Sequence, residues 1–196
     1  MQEQEIRENL DVIITETTEA QRERWLAFRP LGADLVPYLL EYYVKAGTWQ
    51  ARLFMVAHAV KYAKVSEPAF QLGLLALSDA SNVVRYEACC LLSFSLREDA
   101  IPRLEELLTH RDARTVADAK AAIDAINHQN HSYFMDREHS GRFFWTLFDL
   151  DDDDDASPSY GLLDAVINAE KERARARANT GKKNPINRLL GGDSKR

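Results

Sequence analysis

Apolar residues recur at helical spacing through the middle of the chain, and the runs come in pairs. Trp49–Ala63, Val83–Ser95 and Thr115–Asn127 each place small or apolar residues at i, i+4 and i+8, one face of a helix. Those residues are Ala51, Met55 and Ala59, then Val84, Ala88 and Leu92, then Ala117, Ala121 and Ala125. A shorter run precedes each: Leu31–Val44, Pro68–Leu77 and Ala100–Thr109. Asn82 and Thr115 stand where N-caps are expected, and Asp79 and Asp112 punctuate the turns before them. Pro68 and Pro102 suit the first turn of a helix, where a missing N–H costs least. Pro37 lies deeper and predicts a kinked or restarted helix. Glu3–Phe28 reads as one or two helices carrying Ile6, Leu10, Ile13, Ile14, Trp25 and Phe28. Its many Glu and Arg predict the polar outer face of a terminal cap over residues 1–30.

The paired runs repeat. Asp79, Val84, Arg85, Ala88 and Leu92 fall on Asp112, Ala117, Asp118, Ala121 and Ala125 at an offset of 33 residues, and the same step backwards lands Arg85 on Arg52. A helical pair repeating at this period buries its apolar face only by stacking on the next pair. The turn Asp79 followed by Val84-Arg85 resembles the signature of HEAT repeats, over roughly Leu31 to His128. That resemblance implies an all-α fold, a right-handed α-α superhelix of helical pairs over residues 31–128. It also implies a structural ladder of Asp79, Arg52 and Arg85 between consecutive repeats. The chain departs from the pattern where Asp118 replaces the basic residue and Ala46 the acidic one.

After His128 the pattern changes. Ser132–Met135 and Arg142–Phe148 are rich in strand formers around the turn residues Asp136–Gly141, which predicts a small aromatic β-hairpin over residues 129–150. Tyr133, Phe134, Phe143, Phe144, Trp145 and Phe148 exceed what such a hairpin buries against itself. Asp136, Glu138 and Ser140, followed by Gly141, resemble the first half of an EF-hand loop and mark calcium as the one candidate cofactor, although Leu147 stands where the closing Glu belongs. An Asx-type turn accounts for the same residues. His128, His131 and His139 form a second candidate metal cluster whose spacing matches no compact zinc module. Residues 151–196 read as an acidic run, Asp151–Asp155, then a helix with an apolar start and basic end, then a charged, flexible tail.

Composition narrows the function. Of 196 residues, 45% are hydrophobic, and the net charge is -6. An acidic chain lacks the concentrated Lys and Arg that nucleic-acid or anionic-lipid affinity needs. Neighbouring Cys89 and Cys90 build no long-range disulfide framework, and no run of eighteen apolar residues occurs, so a cytoplasmic protein without a membrane span is expected. No phosphate loop, nucleophile elbow or HExxH motif is present, and the expectation is a protein without enzymatic activity. The outer stripe of the second helices changes character between copies: Phe54, His58 and Lys61, then Glu87, Leu91 and Phe94, then Lys120, Asp124 and Asn127. Such variation predicts either intramolecular contacts or a surface fitted to one protein partner. The HEAT-like array followed by His131–Gly141 is similar to small bacterial immunity proteins, which implies stoichiometric inhibition of a toxin. The alternative is an adaptor or assembly factor acting through the tail, where residues 156–196 carry nine Lys or Arg against four Asp or Glu. A HEAT-like DNA-repair glycosylase is a remoter analogy, disfavoured by the mixed charge of the stripe.

Overall fold

The computed structural model describes residues 1–15, 25 and 27–142, which carry seven α-helices and no strand. They are α1 (Glu3–Ile13), α2 (Val36–Tyr43), α3 (Trp49–Ala59), α4 (Glu67–Ala76), α5 (Asn82–Ser95), α6 (Ile101–Glu106) and α7 (Ala113–Asn127). None of the helices among the described residues is long and apolar enough to cross a membrane.

Local chemistry sets the helix starts. Thr48 and Ser66 hydroxyls accept from Ala51 N and Ala69 N, both at 3.3 Å, and the Asp112 carboxylate accepts from Arg114 N at 3.2 Å. The caps expected at Asn82 and Thr115 lie elsewhere. Ser81 precedes α5, so Asn82 is its first residue, and Asp112 caps α7 from an extended backbone. Thr115 is thereby inside the helix, where its hydroxyl serves Arg85 instead. Pro37, Pro68 and Pro102 all occupy the first or second helical position. Pro37 restarts the helix after a 3-10 segment, Arg29–Leu35, that Gly32 breaks with φ 54°.

Helices pack within successive pairs, α2 with α3, α4 with α5 and α6 with α7, and between them, α2 with α4, α3 with α5 and α5 with α7. The small face meets in the interior, where Ala51, Met55, Ala59, Val84, Ala88, Leu92 and Ala125 are all fully buried. Ala117 is exposed, because no later helical pair among the described residues covers that side of α7. Ile6, Leu10 and Ile13 bury one face of α1, and Arg7 clamps Glu41 of α2 at 2.8 and 2.7 Å.

Close approach of α4 to α5 depends on Gly73. A Cβ there would stand 2.6 Å from Leu91 Cδ2 and 3.0 Å from Leu92 Cδ2, and both leucines are fully buried with little room to yield. Overpacking of this kind costs about 1–3 kcal/mol, against a helix-propensity gain of about 1 kcal/mol for Gly to Ala. Gly73→Ala is therefore expected to lower stability by about 1 kcal/mol in urea unfolding. A stabilised variant would show that the leucines repack freely.

The expected hairpin does not begin as a strand. His131–Phe134 is a 3-10 turn, started by the Asn130 side chain accepting from Ser132 N at 3.1 Å. That local hydrogen bond competes with extended pairing. The turn drives Phe134 into the core, its ring centroid 5.5 Å from that of Tyr86. Phe143, Phe144, Trp145, Phe148, the acidic run Asp151–Asp155 and the tail lie outside the described residues.

Candidate functional site

Arg52, Asp79 and Arg85 meet at the edge where the repeat turns face one another. Arg52 donates from Nε to Asp79 Oδ2 at 2.5 Å and from Nη2 to Oδ1 at 3.1 Å. Tyr43 donates its hydroxyl to Asp79 Oδ2 at 2.6 Å, and Ser81 N donates to Oδ1 at 2.8 Å. Burial opposes ionisation of Asp79, yet the hydrogen bonds from Arg52, Tyr43 and Ser81 outweigh it and hold the carboxyl below its ordinary value. One repeat further, Arg85 donates to the carbonyls of Asp79 and Ala80 at 2.7 and 3.1 Å, to Thr115 Oγ1, and to Asp112 Oδ2 at 3.3 Å. Arg52 makes the equivalent carbonyl contact to Ala46 at 3.0 Å, which explains how the first copy dispenses with an acidic side chain at that turn. In the last copy the polarity reverses. Asp118 accepts from Arg137 Nη2 at 2.7 Å, so the segment after α7 supplies the cation that a further repeat would otherwise meet. Every one of these groups is engaged inside the chain, which is how a packing element behaves.

The variable stripe is mostly interior. Phe54, His58, Glu87, Leu91 and Phe94 are buried, which corrects the expectation of an outer surface offered to a partner. Trp25 covers Phe54 and His58, its ring stacked on theirs at 6.1 and 5.9 Å. Burial, reinforced by Lys61, pushes the His58 imidazole down to about 4, so it is neutral at pH 7. His131 covers Phe94 edge-on, with centroids 4.8 Å apart. Sequence variation along this stripe thus tracks what covers each copy, an aromatic side chain from the amino-terminal segment at one end and the loop after α7 at the other. Glu87 is the anomaly: a buried carboxyl that burial alone raises to about 7. Of the stripe, Lys61 is partly open, Lys120 is exposed, and Asp124 is half-exposed.

The loop of Asp136, Glu138 and Ser140, expected from its spacing to be calcium-like or an Asx-type turn, is built around its first carboxylate. Asp136 Oδ1 accepts from Ser140 N at 2.9 Å and Ser140 Oγ at 2.8 Å, and Oδ2 accepts from Gly141 N at 2.7 Å. Burial opposes ionisation here too, but these donors win and lower the carboxyl pKa. Both oxygens of Asp136 are therefore engaged by the loop's own N–H and O–H groups, while Glu138 is exposed. The result is an Asp-centred turn closed by Gly141 at φ 68°. The three histidines separate: His128 and His139 approach each other and Asp124, whereas His131 packs on Phe94.

What stays open is one line along the start of α7. Arg114, Ala117 and Lys120 are exposed at successive three-residue steps, the spacing of neighbours on a helix surface, and the exposed Arg111 lies in the turn just before the helix. A polar depression of about 500 Å³ reaches Arg111 and Arg114 and is also lined by Asp79, Arg85, His110 and Asp112. Arg111 and Arg114 escaped the sequence reading because an arginine's role there depends on whether a carboxylate from another repeat reaches it. No known protein family, curated protein or solved structure matches the chain.

Proposed function

We propose that this chain is a non-catalytic protein-binding module, a short right-handed solenoid of three HEAT-like helical pairs that presents the start of α7 to an acidic segment of a partner protein. One observation carries the reading. Arg111, Arg114 and Lys120 close no ion pair among the described residues, Asp118 acting on Arg114 only at longer range, although the chain as a whole is acidic. Cations left unpaired on an otherwise acidic surface are free to pair across an interface, where complementary charge steers encounter and fixes register. Ala117 between them keeps the face low enough for close contact. In its sharper, immunity-type form, the module occludes the working surface of a toxin by stoichiometric binding. The α7 line then favours an acidic contact segment over the basic nuclease surface that the net charge of -6 would attract.

The test is a pull-down from the native cell at physiological salt, using the full chain beside the triple variant Arg111→Glu, Arg114→Glu, Lys120→Glu. One protein recovered in equimolar amount is expected, with retention at least tenfold weaker in the variant, a difference of about 1.4 kcal/mol. Melting of the variant should be unchanged, since exposed charges contribute little to folding. Equal retention by the two proteins would place the contact elsewhere, and recovery of nucleic acid alone would end the reading.

A further inference from the structure

We infer that Asp124, His128 and His139 form a binding site for a borderline divalent transition-metal ion of the zinc class, joining the end of α7 to the loop that follows it. This inference stands apart from the binding proposal. One ligand atom from each of the three residues lies within 4.8 Å of the other two. His139 Nε2 is 2.6 Å from Asp124 Oδ2, and His128 Nδ1 lies 3.1 Å from Asp124 Oδ1 and 2.9 Å from the Asp124 backbone carbonyl, so both imidazoles flank the one residue.

The chain places all three deliberately. Asp124 and His128 are one helical turn apart, near the end of α7, and therefore project from the same face. Beyond the helix the chain turns back through Gln129 at φ 50° and the 3-10 turn, and returns His139 to that face from a left-handed backbone position, φ 52°. Tyr133 lies flat on the His139 ring, centroids 3.8 Å apart and planes 13° from parallel, which fixes the imidazole plane. His128 meets that ring edge-on at 5.1 Å.

Donor chemistry selects the ion. Two imidazoles and one carboxylate suit zinc, nickel, cobalt(II) or copper(II), whereas calcium and magnesium require oxygen shells. Ligand atoms bound at about 2.0–2.1 Å around a tetrahedral ion stand roughly 3.3 Å apart, so small side-chain rotations convert the hydrogen-bonded cluster into a coordinated one. Three protein ligands leave at least one position for water or for a donor from another molecule. Metal binding here requires the ligating ring nitrogens to be free of protons, so His128 Nδ1 would give up its contact with the Asp124 carbonyl and affinity would fall at low pH.

The full chain, stripped with chelator, would be titrated with Zn2+ by calorimetry and with Co2+ by visible absorption. One equivalent per chain with micromolar or tighter affinity is expected, with the intense ligand-field bands of a low-coordinate nitrogen-bearing site. His128→Ala and His139→Ala should each weaken binding by at least a hundredfold, beyond what changes around a ligand shell usually cost. His131→Ala, whose ring packs on Phe94, should leave affinity unchanged. Metal-free melting curves of each variant separate loss of ligand from loss of fold. Absence of binding, or binding that survives His139→Ala with the weak bands of an all-oxygen octahedral ion, would overturn the assignment.

Discussion

Asp79→Ala is expected to lower unfolding stability by about 3–5 kcal/mol, the usual result of breaking a buried ion pair by removing one partner. Its side chain is 3% exposed, and it alone ties together the Arg52 guanidinium, the Tyr43 hydroxyl and the Ser81 amide. Removal takes the acceptor from the Tyr43 hydroxyl, the Ser81 amide and two guanidinium nitrogens of Arg52, which keeps only its bond to the Ala46 carbonyl. Set against total stabilities of about 5–15 kcal/mol, the loss is large. Asp112→Ala is the internal comparison: its carboxylate side chain is 30% exposed, water replaces part of what Arg85 loses, and the effect should be clearly smaller. Urea midpoints of the two variants at equal slope provide the measurement. A loss below 1 kcal/mol at Asp79 would mean that the turn relaxes and that the inter-repeat contact is ornamental. The pH dependence has a definite sign. Because the folded state lowers the Asp79 pKa, its contribution is present above the unfolded carboxylate range and disappears as pH falls through the folded value.

Glu87→Gln is expected to work in the opposite direction. Burial raises the Glu87 carboxyl from 4.5 to about 7, and none of the ion pairs among the described residues engages it. Below pH 4.5 the group is protonated in the folded and unfolded chain alike, and its ionisation costs nothing. Between pH 4.5 and 7 the unfolded chain ionises first, so stability declines as pH rises. Above pH 7 the burden levels at roughly 3 kcal/mol, taking 1.36 kcal/mol per tenfold change in proton affinity. Glutamine keeps the shape and never ionises. The variant should match the parent near pH 4.5 and exceed it by roughly 3 kcal/mol at pH 8, measured by urea unfolding across that range. Parallel curves for the two proteins would show that Glu87 reaches water or a cation in solution. His58 opposes this trend over the same range, because its imidazole is held down to about 4 and the unfolded chain takes up the proton first as pH falls below 6.5, so the Glu87 contribution is read from the difference between variant and parent.

Glu87 also shows where a linear reading stops. Its position in the offset-33 series is occupied by Phe54 in one copy and Lys120 in the next, and these are buried and exposed respectively. Nothing local distinguishes them. Each is covered or uncovered by what the flanking segments place over its copy: Trp25 over Phe54, the turn at His131 near Phe94, and, among the described residues, no further pair over Lys120. The same reasoning explains the histidines. His128 and His139 are eleven residues apart and His131 lies between them, yet the backbone reversal at Gln129 sends His131 to α5 and brings His139 back to α7.

The presence and order of the paired helices in the middle of the chain were legible, as were the places of Pro68 and Pro102, because helical period and a fixed φ act over four residues or fewer. So were the candidates Arg52, Asp79 and Arg85, through the 33-residue offset. Which threonine hydroxyl serves a distant arginine, where Phe134 is buried and which arginines find a carboxylate are questions of contact between residues about 20–50 apart. Burial and pairing follow from packing of whole helices on one another, and a helix's own sequence carries no record of what will lie against it.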